Sequence, residues 1–327
     1  MATTLTMAKA INMGLRKAME EDPKVMLMGQ DIGRLGGVYR VTDGLEAEFG
    51  DKRVVDTPLA EAGIVGTAIG LAMRGYRSVC EIQFDGFVFP AYDQVVSQVA
   101  KWRFRSQGRQ SAPIVIRIPF GGGIGAVEHH SESPEALFAH VQGLRVVTCS
   151  NPQDAYWMIQ QAIASPDPVI FFEPKRRYYE RGDVDLDAAS APTPLQSSQV
   201  LRTGTDATIV AYGPMIPVVL EAAELAAEEG RSLEIIDLRS IAPLDLEPIY
   251  ASARKTGRVI VVHEATKSYG VGAEIAARVS ENCFHHLEAP VLRVTGLEML
   301  YPPARAEESF LPDVDRVLDG VDAALAY

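Results

Sequence analysis

The sequence predicts an α/β protein of two domains, the first built on a parallel sheet. Its length of 327 residues exceeds the ~100–200 residues of a typical domain. From residue 50 to 175, short β-branched runs alternate with longer helical patterns, which indicates a parallel sheet covered by helices. A polar segment rich in Pro, Ser and Thr then precedes a second, smaller α/β region. We therefore predict a first domain over 1–180, a linker over 181–205 and a second domain over 206–327.

The first domain begins with an amphipathic helix, in which Leu5, Ala8, Ile11 and Leu15 recur at helical spacing. Strands are expected at Val25–Met28, Arg53–Val55, Ser78–Phe84, Pro113–Ile118, Arg145–Cys149 and Pro168–Glu173. Helices are expected at Ala60–Arg74, Pro90–Ser106, Pro134–His140 and Pro152–Ala164. Strands that are apolar throughout, such as PVIFFEP, are typical of a sheet buried on both faces.

The second domain shows the same alternation on a smaller scale. Its strands are expected at Ala207–Tyr212, Leu233–Leu238, Arg258–His263 and Val291–Val294. Its helices are expected at Pro214–Glu229, Asp245–Thr256, Val271–Cys283 and Asp313–Ala326.

The composition excludes several classes of function. The chain has 31 Lys and Arg against 43 Asp and Glu, a net charge of −12, which argues against nucleic acid or an anionic membrane as a partner. The negative net charge is compatible with a basic protein partner. No apolar run approaches the ~20 residues that cross a bilayer, and no signal peptide is visible. The three cysteines are an odd number without CxxC spacing, so we expect buried thiols in a reducing, cytoplasmic compartment.

Common motifs for nucleotides, metals and nucleophiles do not occur. The chain has no G-x-G-x-x-G opening a helix, no P-loop, no H-E-x-x-H and no G-x-S-x-G. His129 and His130 are adjacent in sequence, so their side chains are expected to point in different directions on a regular element. Paired metal ligands usually need i, i+2 or i, i+4 spacing, so these two histidines are a weak candidate for a metal site.

Three segments carry candidate chemistry, and the first is DTPLAEAGIVGTAIGLAMRGY, residues 56–76. Gly63, Gly66 and Gly70 lie on one helix face, although each interior glycine costs about 1 kcal/mol relative to alanine. That cost is tolerated where another backbone comes close. Glu61 falls in the first turn of this helix, where it is either a favourable helix-end charge or a catalytic group.

The second and third segments follow predicted strands. Phe84, Phe87 and Phe89 crowd the turn after one strand, where ligands bind in parallel sheets; the alternative is a small hydrophobic cluster. In PFGGGIGAVEHHSESPEALFAH, residues 119–140, a glycine-rich loop leads to two histidines. A histidine on a loop after a strand is a good candidate for proton transfer.

Together these segments resemble the β subunit of the thiamine-diphosphate-dependent 2-oxo acid dehydrogenases. The stretches DTPLAEAGIVG, EIQFDGFVFPAYDQ, HHSESPEALFAH, PVIFFEP and IIDLRSIAPLD are most similar to the branched-chain 2-oxo acid member. The resemblance extends over nearly the whole chain, to TGLEMLYPPARAEESFLP. It implies a transketolase-like pyrimidine-binding α/β domain, followed by a smaller transketolase C-terminal-type α/β domain.

The resemblance also implies partners and cofactors. The family enzyme is an α2β2 heterotetramer that binds thiamine diphosphate between α and β and docks on a lipoyl acyltransferase core. Its α subunit holds the diphosphate and Mg2+ through a GDG motif. This chain contains no GDG, so we expect it to supply only the pyrimidine half of a shared site.

Site residues follow from the resemblance by position. The family glutamate that bonds the aminopyrimidine ring falls on Glu61, and the aromatic residue beside the pyrimidine falls on Phe87, where branched-chain members carry tyrosine. Ile64 and Phe84 complete the expected cofactor-binding set. The loop histidine that donates a proton during acyl transfer to lipoyl sulfur falls on His130.

A K+ site built mainly from backbone carbonyls is also implied. It falls on Ala112, Ile114, Val115, Ala162, Ser165 and Asp167. The sequence departs from the family pattern at Ser165, where aspartate is usual, and at Asp167, where asparagine is usual.

The resemblance leaves alternatives open. A pyruvate or acetoin dehydrogenase β subunit would share these segments, because the acyl pocket is shared with the α subunit. A non-catalytic scaffold subunit is the alternative from another class, but Glu61 and His130 argue against it. A single-chain transketolase would need the diphosphate half in the same chain.

Overall fold

The computed structural model describes residues 2–327, which fold around two large sheets and a two-stranded ribbon. In chain order the strands are β1 (Ala2–Thr6), β2 (Val25–Gly29), β3 (Val54–Asp56), β4 (Arg77–Glu81), β5 (Ile114–Phe120), β6 (Arg145–Thr148), β7 (Val169–Pro174), β8 (Arg181–Asp185), β9 (Gln199–Arg202), β10 (Ala207–Ala211), β11 (Leu233–Asp237), β12 (Ser240–Ala242), β13 (Val259–Thr266) and β14 (Leu292–Gly296). The α-helices are α1 (Met7–Glu21), α2 (Leu45–Phe49), α3 (Glu61–Met73), α4 (Trp102–Arg105), α5 (Glu135–Ala139), α6 (Pro152–Ala164), α7 (Ile216–Glu228), α8 (Glu247–Thr256), α9 (Val271–Cys283), α10 (Glu307–Phe310) and α11 (Val314–Leu325).

The larger sheet confirms the predicted parallel architecture. Its strand order is β12-β6-β7-β5-β4-β2-β3, and every neighbouring pair except β12–β6 is parallel. Every residue of β5 and β7 is buried, as the continuous apolar runs predicted. The carboxyl ends of β4, β5 and β7 therefore lie side by side at one edge of the sheet.

The amino terminus differs from the prediction. Residues Ala2–Thr6 form a strand that pairs antiparallel with β8, and α1 begins only at Met7. The Thr6 side chain caps α1 by accepting a hydrogen bond from the Lys9 N–H at 3.2 Å. Threonine-rich sequence favours an extended strand over the helix that we extended through Leu5.

The predicted helix Pro90–Ser106 is wrong as a single element. The chain instead forms a 3₁₀ segment, Asp85–Ala91, a π-helical segment, Gln94–Val99, and the short helix α4. Pro90 lies inside the 3₁₀ segment and cannot donate a backbone hydrogen bond. π-Helical turns are rare and frequently mark functional sites.

The smaller sheet has the order β14-β13-β10-β11-β9, with only β9 antiparallel to its neighbour. The predicted linker, residues 181–205, is not irregular throughout, because β8 and β9 both lie within it. In addition, β12 crosses back from the second half and extends the larger sheet. The division into units at 1–180 and 206–327 stays a prediction.

The two sheets share one hydrophobic core. A single cluster of buried side chains includes Ile116 and Phe172 from the larger sheet, and Val210 and Val261 from the smaller one. The second half therefore packs directly on the first, so loops from both can reach a common edge. All three cysteines are free and buried, and burial raises the pKa of the Cys80 thiol to about 12. Among residues 2–327 no helix has the length and apolarity to traverse a bilayer.

Candidate active site

A buried charge cluster fixes the three central strands beneath the candidate site. The Arg117 guanidinium on β5 donates two hydrogen bonds to Glu173 on β7, at 2.6 and 2.8 Å, and a third to Glu81 at the end of β4. The Tyr178 hydroxyl also donates to Glu173 at 2.5 Å. Such a buried ion cluster resists displacement, because separating one partner leaves an uncompensated buried charge. The loops that leave these strands therefore start from fixed positions.

The aromatic residues after β4 meet the predicted catalytic histidine. Ring centroids of His130 lie 4.2 Å from Phe84 and 5.1 Å from Phe87. His130 belongs to a 3₁₀ turn, Glu128–His130, that follows the glycine-rich loop. Phe84 and Phe87 are each partly exposed, so this cluster forms a wall at the carboxyl edge of the sheet rather than sealed core.

His129 lies closer to this wall than the sequence indicated. Its ring centroid is 4.3 Å from that of His130 and 6.0 Å from that of Phe87. The expectation that the two histidines point in different directions is wrong, because their rings are in edge contact with each other. His129 is exposed, whereas the His130 Nδ1 atom is buried and has no hydrogen-bond partner among residues 2–327.

The surroundings of His130 favour its neutral form. Burial lowers the pKa of His130, and the neighbouring His129 lowers it further. Asp85 opposes this shift, while Lys175 adds to it. The imidazole therefore titrates below its usual range, where it can both take and give a proton near neutral pH.

Glu61 begins α3 and is largely buried, at 8% exposure. Its side chain has no hydrogen bond or ion pair to any residue from 2 to 327. The helix N-terminus supplies partial positive charge that favours a carboxylate there. Ile64, one turn later, is packed in the same hydrophobic cluster as Val88 and Phe87. The structure thus brings α3 against the segment that carries the aromatic wall, and leaves the Glu61 carboxyl available to a ligand.

Carboxylates from the second half hold the glycine-rich loop. Glu307 accepts hydrogen bonds from the N–H groups of Gly123 and Gly125 at 2.8 and 2.9 Å, and Glu264 accepts one from Gly122 at 3.0 Å. The Tyr301 hydroxyl donates to Glu307 and lies so near Gly122 that an added Cβ would come within 1.9 Å of it. These contacts fix the chain that leads to the histidine turn.

A groove of about 370 Å³ opens beside this loop, between the two halves of the chain. Ser131 and Glu132 line it from the histidine turn, and Thr266, Tyr269 and Leu300 line it from the second half. The larger groove, of about 940 Å³, lies at the amino-terminal edge of the sheet, near Phe104 and Arg145. Glu61 and His130 line neither groove, although Ser131, the residue after His130, lines the smaller one.

The residues expected to bind K+ lie at that opposite, amino-terminal edge. Four of their carbonyls already accept hydrogen bonds: Ala112 from Ile114 N at 2.8 Å, Ala162 from Ser165 N at 3.2 Å, Ser165 from the Arg77 guanidinium at 3.1 Å, and Asp167 from the Ser165 hydroxyl at 2.9 Å. The Asp167 carboxylate pairs with Arg103 and Arg145. Guanidinium groups thus contact two of the six residues, Ser165 and Asp167. Each carbonyl oxygen keeps a second lone pair, so the K+ site stays a prediction, and K+ has no part in the function proposed below.

Comparison with known proteins assigns this architecture to a family. Residues 3–180 match the family "Transketolase, pyrimidine binding domain", and residues 196–317 match "Transketolase, C-terminal domain". The chain is 62% identical over 99% of its length, and 96% of the relative, to a pyruvate dehydrogenase E1 component subunit beta of Leifsonia xyli. It is 51% identical over 98% of its length, and 92% of the relative, to the 3-methyl-2-oxobutanoate dehydrogenase subunit beta of Mycobacterium tuberculosis. This chain belongs to the 2-oxo acid dehydrogenase E1 β subunits.

Two further matches agree with that membership. The chain is 44% identical over 96% of its length, and 93% of the relative, to the 2-oxoisovalerate dehydrogenase subunit beta of Pseudomonas aeruginosa. The fold is similar to a split-gene transketolase, described as an inactive beta4 tetramer, with a TM-score of 0.78, 22% identity and 98% coverage of both chains. The predicted transketolase-like two-domain α/β fold is thereby confirmed, as is an oxidoreductase of the E1 β type.

Membership in the E1 β family implies thiamine diphosphate as the cofactor. The residues of this chain fit the pyrimidine half of such a site. Glu61 offers a carboxyl without a partner among residues 2–327, and Phe84 and Phe87 offer aromatic surface in and next to the segment against which α3 packs. The orphaned Nδ1 atom of His130 supplies a further polar group toward the same edge.

Sequence reasoning missed the residues that hold the loops in place. Asp85, Lys175, Glu264, Glu307 and Tyr301 are all buried in or around the histidine loop. The only available signal was a charged residue within an otherwise apolar stretch, such as Lys175 directly after PVIFFEP. That pattern does not say which residue is the partner, because the partners lie about 90 or more residues away.

Glu135 gives the chain a pH-dependent stability. Burial raises the pKa of this carboxyl from 4.5 to about 8, although a hydrogen bond from the Tyr212 hydroxyl at 2.6 Å opposes the shift. Because the folded-state pKa lies above the unfolded one, this contribution to stability is complete below the unfolded pKa and is lost as pH rises through about 8. We predict that Glu135→Gln loses less stability than wild type between about pH 5 and about pH 8, measured by urea unfolding.

The matched control is Glu20→Gln, an exposed carboxyl on α1. This variant should follow the wild-type pH dependence. Equal slopes for wild type and Glu135→Gln would show that Glu135 is ionised in the folded chain, contrary to the geometry.

Proposed function

We propose that this chain is the β subunit of a branched-chain 2-oxo acid dehydrogenase. With an α subunit it would carry out thiamine-diphosphate-dependent oxidative decarboxylation and reductive acylation of a lipoyl group. The observation that carries the proposal is the partnerless carboxyl of Glu61, a largely buried residue on a helix packed against the segment that carries the aromatic wall of Phe84, Phe87 and His130. When bound, the cofactor supplies the electron sink for loss of CO2.

Glu61 would hold a proton against the ring nitrogen of the aminopyrimidine. A carboxyl at this position is open to an incoming ligand, since no residue from 2 to 327 forms a hydrogen bond or ion pair with it. The helix N-terminus and the absence of competing cations keep the carboxyl free for that single contact. Phe84, Phe87 and Ile64 would present apolar surface to the ring and exclude water from it. Phe87 lacks the hydroxyl of a tyrosine, so the ring contact would be one of packing alone.

His130 would deliver a proton to a lipoyl sulfur as the S–S bond opens. Its position on an edge turn, beside the groove between the halves, lets a lipoyl arm approach from solvent. The aromatic wall fixes the imidazole plane through contacts at 4.2 and 5.1 Å. The lowered pKa keeps the imidazole neutral near neutral pH, so His130 would first take up a proton and then, as a stronger acid, pass it to the sulfur.

The partners follow from what this chain lacks. An α subunit would hold the diphosphate and Mg2+, because the chain has no GDG segment. We propose an α2β2 heterotetramer that acts in the cytoplasm. The C-terminal half would dock a lipoyl acyltransferase core, since the net charge of −12 complements a basic binding domain.

A pyruvate-specific enzyme is the second candidate, and the 62% identical relative favours it. Two relatives with names of branched-chain enzymes, at 51% and 44% identity, favour the first. A hydrophobic pocket discriminates one methylene by only about 1–3 kcal/mol, so the preference would be graded rather than absolute.

Reconstitution with an E1 α subunit that contains the GDG motif tests the proposal. We expect decarboxylation of 2-oxo acids by the pair, none by either chain alone, and a higher kcat/KM for 4-methyl-2-oxopentanoate than for pyruvate. A higher kcat/KM for pyruvate would establish the second candidate. Decarboxylation of no 2-oxo acid by a stable α–β pair would overturn both.

Glu61→Gln should slow decarboxylation by the reconstituted enzyme by about 10²–10⁴-fold, the usual loss for a positioned acid–base group. The fold should be retained, because Glu61 has no partner within residues 2–327. The matched control is Glu247→Gln, which removes an exposed glutamate from the start of α8. If the two variants decarboxylate equally well, Glu61 is only a helix-end charge.

His130→Ala should separate the two half-reactions. Transfer to a lipoyl domain should fall by about 10²–10⁴-fold, whereas reduction of a dye acceptor should survive in large part, because it needs no proton on sulfur. His129→Ala is the neighbouring control and should affect lipoyl transfer less. Equal losses with both acceptors would place the histidine before or during decarboxylation.

A further inference from the structure

A buried ion pair lies directly beneath the histidine turn. Asp85, in the 3₁₀ segment after β4, and Lys175, after β7, form a salt bridge in which neither side chain has any solvent exposure. Neither residue resembles a binding group, since neither reaches solvent. Burying two charges costs several kcal/mol per ion before pairing, and replacing such pairs by apolar residues is often neutral or stabilising. The pair therefore needs a reason other than stability.

Its contacts supply that reason. The second carboxylate oxygen of Asp85 accepts the Glu132 N–H at 2.8 Å, which anchors the end of the histidine turn. The next residue, Gly86, lies so close to the turn that an added Cβ would stand 2.3 Å from the His129 carbonyl oxygen. Asp85 and Gly86 thus hold the histidine turn, at its middle and just after its end, against the segment that carries Phe87.

Lys175 contacts the aromatic ring that packs against His130. Its ammonium lies 5.8 Å from the centre of the Phe84 ring, which in turn stands 4.2 Å from the His130 ring. Cation–π attraction at this distance orients the aromatic ring. Lys175 also follows Glu173, which the Arg117 cluster immobilises. The ion pair thus connects the fixed ends of the strands to the residues that contact the imidazole.

We infer that Asp85 and Lys175 are positioning residues for His130, holding its turn and its aromatic neighbour in the geometry needed for proton delivery to the acceptor. This inference rests on the proposed function, in which His130 is the proton donor. A misplacement of about 1 Å can cost about 10²-fold in rate. The charged or titratable groups around the imidazole are His129, Glu128, Asp85 and Lys175, so removal of the pair also changes the field at the ring.

The test uses two double variants that leave no uncompensated charge. Asp85→Leu with Lys175→Met removes both charges and the acceptor for the Glu132 N–H. Asp85→Asn with Lys175→Met removes the charges but retains an oxygen acceptor. The control is Asp93→Asn, an exposed aspartate in the same region. Each is assembled with the α subunit and assayed with a lipoyl domain and with a dye.

We expect the leucine variant to lose about 10–100-fold in lipoyl transfer, with a smaller loss of dye reduction because Phe84 also faces the cofactor, and with an altered pH profile of transfer in a folded chain. The asparagine variant should recover part of that loss. Wild-type lipoyl transfer in the folded leucine variant would overturn the inference, and so would equal losses in both assays.

A second measurement is independent of activity. The titration of the His130 ring, followed by NMR of the full chain with selectively labelled histidine, should move in both double variants, because both lack the same two charges, and stay unchanged in Asp93→Asn. A displaced ring is reported by the difference between the two double variants, so His130 chemical shifts that are equal in the leucine and asparagine variants contradict positioning. Absence of lipoyl transfer by the wild-type enzyme would instead contradict the proposed function, while the NMR result still decides whether the pair positions the ring.

Discussion

The whole site depends on the buried cluster of Arg117, Glu81 and Glu173. Hydrogen bonds alone fix the register of neighbouring strands, but this cluster also ties the side chains of three adjacent strands at their carboxyl ends. A guanidinium that donates to two carboxylates at once tolerates little displacement, because its donors form a rigid fork. The cluster lies just before the points where the three loops of the site depart. Strand ends that moved independently could not keep a histidine and two phenyl rings in contact.

The second half of the chain contributes to the site through the glycine-rich loop. Glycines give this loop room for close approach, and the carboxylates of Glu264 and Glu307 then remove its freedom by accepting three of its N–H groups. A loop rich in glycine loses much conformational entropy when it is ordered, so charge-assisted hydrogen bonds are the appropriate restraint. The position of the histidine turn therefore depends on the packing of both halves around their shared core.

The sequence predicted those features that depend on local pattern. Buried parallel strands, the helix that begins at Glu61 and the loop position of His130 all follow from periodicity or from recognisable segments. The strand at Ala2–Thr6 and the strand β12 were missed, since each depends on a partner distant in sequence. The broken segment after Phe84 was also missed, although Pro90 within it is a local signal. The same limit applies to the site. No local sequence pattern predicts that Asp85 forms an ion pair with Lys175, or that Glu307 accepts a hydrogen bond from Gly123.

The polar groups of the site divide into two classes, and that division is itself informative. Arg117, Lys175 and Glu307 are buried and satisfied within the chain, and they fix the backbone. Glu61 and the Nδ1 atom of His130 have no partner among residues 2–327. A buried polar atom left unpaired, as the His130 Nδ1 atom is, costs about 1–3 kcal/mol, so a self-contained protein would tend to lose it. The presence of both groups at one edge of one sheet is physically reasonable when a ligand or a second subunit completes their hydrogen bonds, because the free energy lost in folding is then recovered on binding.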